Sequence, residues 1–345
     1  MSTNLTVNID TIIFIVKESK EGSFNIPSTT AKVYSKDGKL LESYQNRIPL
    51  KGKHGTHSLQ VRTLHNGKDL HVECSPYAFL YGQNVFTASD LRSVVIRILR
   101  RICKEFGFRI TRQRLQRWIN GGIELRRVDL FVNFDVASES EATKILKQIY
   151  RQLVELPCSM QKHGSSVYLH KKDLSFCFYA KGPQMRSLAR YKNMPGHRVK
   201  LLKVCEPILR LELRLLAGEL LRRNLSQLSS WKLNTGERVY WRCFRSKLKL
   251  FSITSGAVTK EELLKLPRRL RTAFILHKEG VDLTDVYSAR TLQRHRSEFR
   301  KNGIDIRCPN QPEGTVVSLP EVLSLKNAIN ETPGWMIEAG IAPAD

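Results

Sequence analysis

Four apolar runs in this 345-residue chain carry acids, a phenol and an ammonium group at alternate positions. Side chains along a strand point to opposite faces in turn. In Leu174-Ser-Phe-Cys-Phe-Tyr-Ala-Lys-Gly182, Phe176 and Phe178 therefore oppose Cys177, Tyr179 and Lys181. In residues 125–134, Val128, Leu130 and Val132 share one face while Arg127, Asp129 and Asn133 share the other. In residues 208–216, Leu209, Leu211, Leu213 and Leu215 oppose Arg210, Glu212 and Arg214; an earlier run sets Leu70 and Val72 against His71 and Glu73. If these strands form one sheet with its apolar side inward, the other face presents Glu73, Asp129, Glu212, Tyr179 and Lys181. Carboxylates, a phenol and an ammonium suit metal-assisted phosphoryl transfer to tyrosine. The same alternation also describes a sheet whose polar face is merely solvated, and periodicity does not choose between the two.

The flanking sequence predicts what would hold such a sheet. Asn8–Val16 reads as a strand and Lys32–Tyr44 as a hairpin turning at Asp37-Gly38. Thr87-Ala-Ser-Asp90 opens a helix in which Leu91, Val94, Val95, Ile98, Leu99 and Ile102 recur at helical spacing, with Gly107 to end it. Glu139–Leu153 is a second amphipathic helix. The expected fold class is α+β: an antiparallel-rich central sheet with helices on one face, followed by a basic helical C-terminal domain. The expected divisions are 1–225 for the chemistry, 226–310 for the basic helices and 311–345 for a loosely packed tail.

The composition points to a polyanion. The chain has 57 Lys plus Arg against 32 Asp plus Glu, a net charge of +25. This charge recurs throughout folded segments, where neutralising phosphates would release counterions, so nucleic acid is favoured over a membrane surface. In the C-terminal region, Leu266–Gly280 reads as a helix with Pro267 near its start. Ser288 caps a second, Ala289–Asn302, stopped at Gly303. Leu292 and Phe299 would face inward, with Arg290, Gln293, Arg294 and Lys301 outward. Two such helices around a short connector resemble a helix-turn-helix, with Arg268 and Arg269 adding basic charge on the first. No apolar run reaches the ~20 residues of a membrane span. Residues 74, 103, 158, 177, 205, 243 and 308 are the 7 cysteines, an odd number without a C-x-x-C pair. That favours a reducing compartment, the cytoplasm.

Taken in order, several short motifs resemble the gene II replication initiators of filamentous phages and related phage and plasmid rolling-circle initiators. They are Ile9-Asp10 before an apolar strand, Val72-Glu-Cys-Ser-Pro76, Gly82-Gln-Asn-Val-Phe86 with Asp90-Leu91, Arg127-Val-Asp129, Tyr179-Ala-Lys181, Leu211-Glu-Leu-Arg214 and a C-terminal pattern ending at Gly303-Ile304. The resemblance implies that Tyr179 links covalently to the 5′ phosphate of a nicked origin, with Lys181 beside it. It also implies that Asp129 and Glu212, with Glu73 as a third ligand, hold a divalent metal. Gln83 stands where that family has a histidine, and a His-hydrophobic-His pair is absent. The implied site is therefore oxygen-rich and suits Mg²⁺ or Mn²⁺ rather than zinc.

The implied partners are the double-stranded replicative-form origin, single-stranded DNA, and a host helicase and DNA polymerase. The nick would leave a 3′ hydroxyl to prime synthesis, and the reversed reaction would close the displaced strand into a circle. The chain lacks G-x-x-x-x-G-K-[ST], so no ATPase of its own is expected. Two alternatives stay open. One is a relaxase- or transposase-like tyrosine nuclease, and the other a non-catalytic duplex-binding replication repressor. Tyr168 and Tyr191 are the rival nucleophiles.

Overall fold

The structure, a computed structural model, describes residues 6–18, 24, 26, 30–55, 59–65, 67–153, 159–163, 166–188, 196–248, 260–279, 281, 283–301, 306 and 319–343. Tyr191, Cys158, Cys308, Gly280 and Gly303-Ile304 lie outside the described residues. Among the described residues, eleven strands run in chain order as β1 (Asn8–Lys17), β2 (Thr30–Tyr34), β3 (Leu40–Gln45), β4 (Ile48–Leu50), β5 (Leu59–Leu64), β6 (Asp69–Cys74), β7 (Ile123–Asp135), β8 (Ser159–His163), β9 (Ser166–Lys171), β10 (Leu174–Ala180) and β11 (Ile208–Leu216). Nine of them form one sheet in the order β4-β5-β6-β1-β7-β11-β10-β9-β8, with every pair antiparallel. The remaining two, β2 and β3, form the expected hairpin, and Gly38 turns it at φ 78°.

Alternation decides the two faces of the sheet. Val128, Leu130, Val132, Phe176, Phe178, Leu209, Leu211, Leu213 and Leu215 are all buried on one side. The helix Glu139–Leu153 lies against that side and contributes Ala142, Ile145, Leu146 and Ile149, the spacing of a single helical stripe. The helix Leu91–Glu105 starts at Asp90, whose Oδ1 accepts from Arg92 N at 3.0 Å and Ser93 N at 3.2 Å. Such a cap satisfies amides that the helix leaves unpaired. Among the described residues no helix is long and apolar enough to cross a membrane.

Three expectations differ from the packing. Strand β10 stops at Ala180, so Lys181 opens the helix Lys181–Ser187 rather than extending the strand. The division expected at residue 225 falls inside the main core, because Leu228, Trp231, Tyr240, Trp241 and Cys243 pack into it. Nor is the described part of the tail loosely packed. Leu319 and Leu323 join the main core, while Met336, Ile341 and Ala342 pack with Val85, Phe86, Met185, Leu201, Cys205 and Ile208. A run rich in Pro and Gly looks loose in sequence, yet its scattered apolar side chains still have a surface to bury. The basic helices Arg268–Lys278, Leu283–Val286 and Ala289–Lys301 form a small core of their own around Leu266, Leu270, Ala273, Leu283, Leu292 and Phe299.

Candidate active site

The polar face is built from registered rows across four neighbouring strands. Ser166, Tyr179, Arg210 and Asn133 form one row, and Tyr168, Cys177, Glu212 and Phe131 the next. His170, Ser175, Arg214 and Asp129 form the third. Tyr179 donates its hydroxyl hydrogen bond to Glu212 in the adjacent row. Burial, and then the Asp10 charge, push the Glu212 carboxyl up to about 7, against the pull of Arg210. Burial and the Glu212 charge likewise hold the Tyr179 phenol well above its ordinary value.

Asp10 arrives through a β-bulge. Ile9 pairs with Leu130 and Ile12 with Val128, so β1 spends one residue more than β7 over this stretch. Strict alternation would put Asp10 on the side of Ile12 and Phe14. The extra residue instead brings its carboxylate to the polar face, where Asp10 Oδ1 accepts from Asn84 Nδ2 at 2.6 Å. The same oxygen lies 3.8 Å from Arg210 Nη1, and Glu212 lies 4.0 Å from that nitrogen.

Arg210 is fully buried and fixed on three sides. Its Nε donates to Asn133 Oδ1 at 2.8 Å, its Nη2 donates to the carbonyls of Asn84 and Val85 at 2.8 and 2.9 Å, and its guanidinium lies 3.7 Å from the Phe131 ring centroid. The turn holding Asn84 begins at Gly82, φ 79°, where a Cβ would come within 2.5 Å of the His54 ring. Only glycine meets both demands cheaply. Gln83 accepts from Val85 N and Phe86 N and donates to Ile341 O at 2.9 Å, so the C-terminal segment props this turn. Lys181 is fully buried, with its Nζ 3.3 Å from Asn84 Oδ1 and 5.6 Å from the Tyr179 ring centroid. Burial and the neighbouring Arg210 pull its proton affinity well below the ordinary lysine value.

The expected metal trio does not assemble. Glu73 pairs with Arg47, and β1 separates its strand from β7, placing it roughly 10 Å from the nearest β7 row. Asp129 is gripped by Arg127 through two hydrogen bonds and by Arg214 Nε at 3.3 Å. Among the described residues no three His, Cys, Asp or Glu side chains cluster to hold a metal. The carboxylates that meet are Asp10 and Glu212. Two oxygen donors, one of them raised by burial and then by the charge of the other, suit a hard cation, since Mg²⁺ binds one or two carboxylates and completes its shell with water and substrate phosphate. Burial, and then the charges of Arg62, Arg47 and Arg126, push His71 down to about 4; the three guanidinium groups around it oppose a metal cation there.

Asp10, Asn84 and Arg210 are the residues that alternation and motif reading left without a role. Asp10 and Asn84 did lie within the opening and Gly82–Phe86 motifs. In the basic helices, Arg268, Arg290, Gln293, Arg294 and Lys301 are exposed. Arg269 is exposed as well and pairs with Glu298 at 2.8 Å, tying the first helix to the third. A one-turn helix, Leu283–Val286, occupies the connector expected between the pair.

Residues 9–234 match the N-terminal family of the replication-associated gene II protein, and residues 258–341 match the C-terminal family of the same protein. The replication-associated gene II protein of Enterobacteria phage I2-2 is 26% identical over 277 residues, covering 76% of this chain and 78% of that protein. A solved rolling circle replication initiator protein from Geobacillus stearothermophilus aligns over 69% of this chain and 84% of its own, at 13% identity and a TM-score of 0.31.

Proposed function

The chain belongs to the family of the replication-associated gene II protein, and on that premise we propose that it initiates rolling-circle replication by nicking one strand of a phage's double-stranded replicative form at the origin. The observation that carries this reading is the hydrogen bond from the Tyr179 hydroxyl to Glu212, a carboxyl raised to about 7. A carboxylate already bonded to the phenol is placed to take its proton as the bond to phosphorus forms. Burial makes free tyrosinate costly, so proton transfer accompanies attack rather than preceding it.

Tyr179 Oη attacks the phosphorus in line, the P–O3′ bond breaks, and the phenolic proton passes through Glu212 to the departing 3′ oxygen. The products are a 5′ phosphotyrosine and a 3′ hydroxyl, which a host polymerase extends while a host helicase opens the duplex. The reverse attack by a 3′ hydroxyl rejoins the displaced strand as a circle. Lys181 and Arg210 lie where they can offset charge on the phosphate. Asp10 and Glu212 would hold Mg²⁺ or Mn²⁺, which when bound supplies Lewis-acid stabilisation of the phosphate oxygens. Only 3% of Tyr179 is exposed, so the residues over it must yield as the strand docks, making the chemistry conditional on DNA binding. The basic helices would recognise and bend the origin duplex, supplying an unstacked strand.

Incubation with supercoiled replicative-form DNA and Mg²⁺, followed by denaturing electrophoresis, tests this reading. A covalent protein–DNA complex is expected. DNA bound tightly but never covalently would leave the duplex-binding repressor as the better description. Cleavage at transposon ends in preference to a phage origin would favour a transposase-like nuclease.

A further inference from the structure

We propose that the cleft beyond Glu212 on the same polar face is a subsite for single-stranded DNA, seating a phosphate other than the scissile one while the adjacent base lies on an aromatic platform. The proposal rests on the reading of this face as the one that handles the cut strand. The cleft, about 420 Å³, is lined by Arg127, His170, Lys171, Lys172, Ser175 and Arg214. Ser175 precedes Tyr179 by four residues on β10, about 13 Å along the strand, too far for the two to contact one phosphate.

The charges suit an anion. Arg127 and Arg214 converge on the single carboxylate of Asp129, leaving a positive excess, and Lys171 and Lys172 are exposed at the rim. Asp173, the acid in the same turn, is held by Arg222 at 2.9 Å. From His170 in the cleft wall toward the Tyr179 row, the rings of His170 and Tyr168 stack with centroids 5.8 Å apart and planes within 2°. Flat rings interleaved with cations are how proteins bind unpaired strands without reading sequence, because every base offers a π-face. A duplex keeps its bases stacked inside and cannot use such a platform.

The test uses the full chain, a short labelled oligothymidylate and chelator, so that binding is measured without cleavage, across a salt series. Lys171→Ala/Lys172→Ala should weaken binding about tenfold at low salt and flatten the salt slope by roughly 0.7 for each phosphate no longer neutralised. Tyr168→Ala should weaken it by about tenfold at every salt concentration with the slope unchanged. Binding to a duplex of equal length should stay near that of the native chain in both variants. Native affinity and slope in both folded variants, or an equal loss on duplex, would overturn the subsite. Covalent complex formation by the native chain on origin DNA is scored separately: its absence counts against the nicking reading, and the oligothymidylate result still decides the cleft.

Discussion

Tyr179 and Glu212 meet on a diagonal. In the β10–β11 ladder Tyr179 opposes Arg210 and Glu212 opposes Cys177, yet the phenol reaches across to the carboxylate. Diagonal neighbours in an antiparallel pair are within range of a long aromatic side chain. The arrangement leaves Arg210 directly opposite Tyr179 and sets Glu212 one row away, where it and Asp10 both approach Arg210 Nη1.

Tyr179→Phe should abolish the covalent complex while retaining origin binding. Tyr168→Phe, one row away on the same face, should still form it. Loss of the complex in Tyr168→Phe and its survival in Tyr179→Phe, on the same denaturing gel, would reverse the assignment.

Stability should fall with pH around Glu212. Burial and the Asp10 charge push its folded carboxyl up to about 7 from 4.5, so the fold favours the neutral form. That contribution is full below about 4.5 and is lost as pH rises through about 7. In chelator, thermal or urea unfolding should show the native chain losing up to ~3 kcal/mol across this window, and Glu212→Gln should lose less. Parallel curves for the two proteins would show that Glu212 is not raised.

The metal should respond to Asp10, not Glu73. Added Mn²⁺ should raise the melting temperature of the native chain and of Glu73→Gln alike. Asp10→Asn should bind it at least tenfold more weakly, as measured by titration calorimetry. A Glu73→Gln protein that no longer binds Mn²⁺, beside an unaffected Asp10→Asn, would restore the trio expected from sequence.

Asp129→Asn should act on stability first. It strips the carboxylate shared by Arg127 and Arg214, for about 3 kcal/mol; that is the low end for a broken buried pair, because the Arg214 side chain keeps 35% of its surface exposed. Urea unfolding measures the loss, and specific activity per folded molecule should stay near native.

Arg294→Ala should weaken origin recognition by ~1–3 kcal/mol if the guanidinium grips a guanine, and by a uniform amount across sequences if it touches only phosphate. Gel shifts on origin and scrambled duplexes separate the two. Cleavage of a single-stranded oligonucleotide spanning the nick should survive.

Sequence by itself determined which residues share a face. The period-two alternation in β6, β7, β10 and β11 put Glu73, Asp129, Tyr179 and Glu212 on the polar side of one sheet, because a buried face tolerates no other phase. The ordered motifs carried the family. The spacing of Leu292 and Phe299 set the inner face of the last basic helix, where both are buried. Tertiary structure alone decided which of those residues meet. Alternation says nothing of strand order, and the order set β1 between Glu73 and the rest. It cannot register an inserted residue either, and the bulge in β1 moved Asp10 from the core side to Glu212. Partners also come from afar: Arg127 and Arg214 claim Asp129, and Ile341 steadies Gln83 from 258 residues away. Each of these is a long-range pairing or a one-residue irregularity, and local periodicity encodes neither.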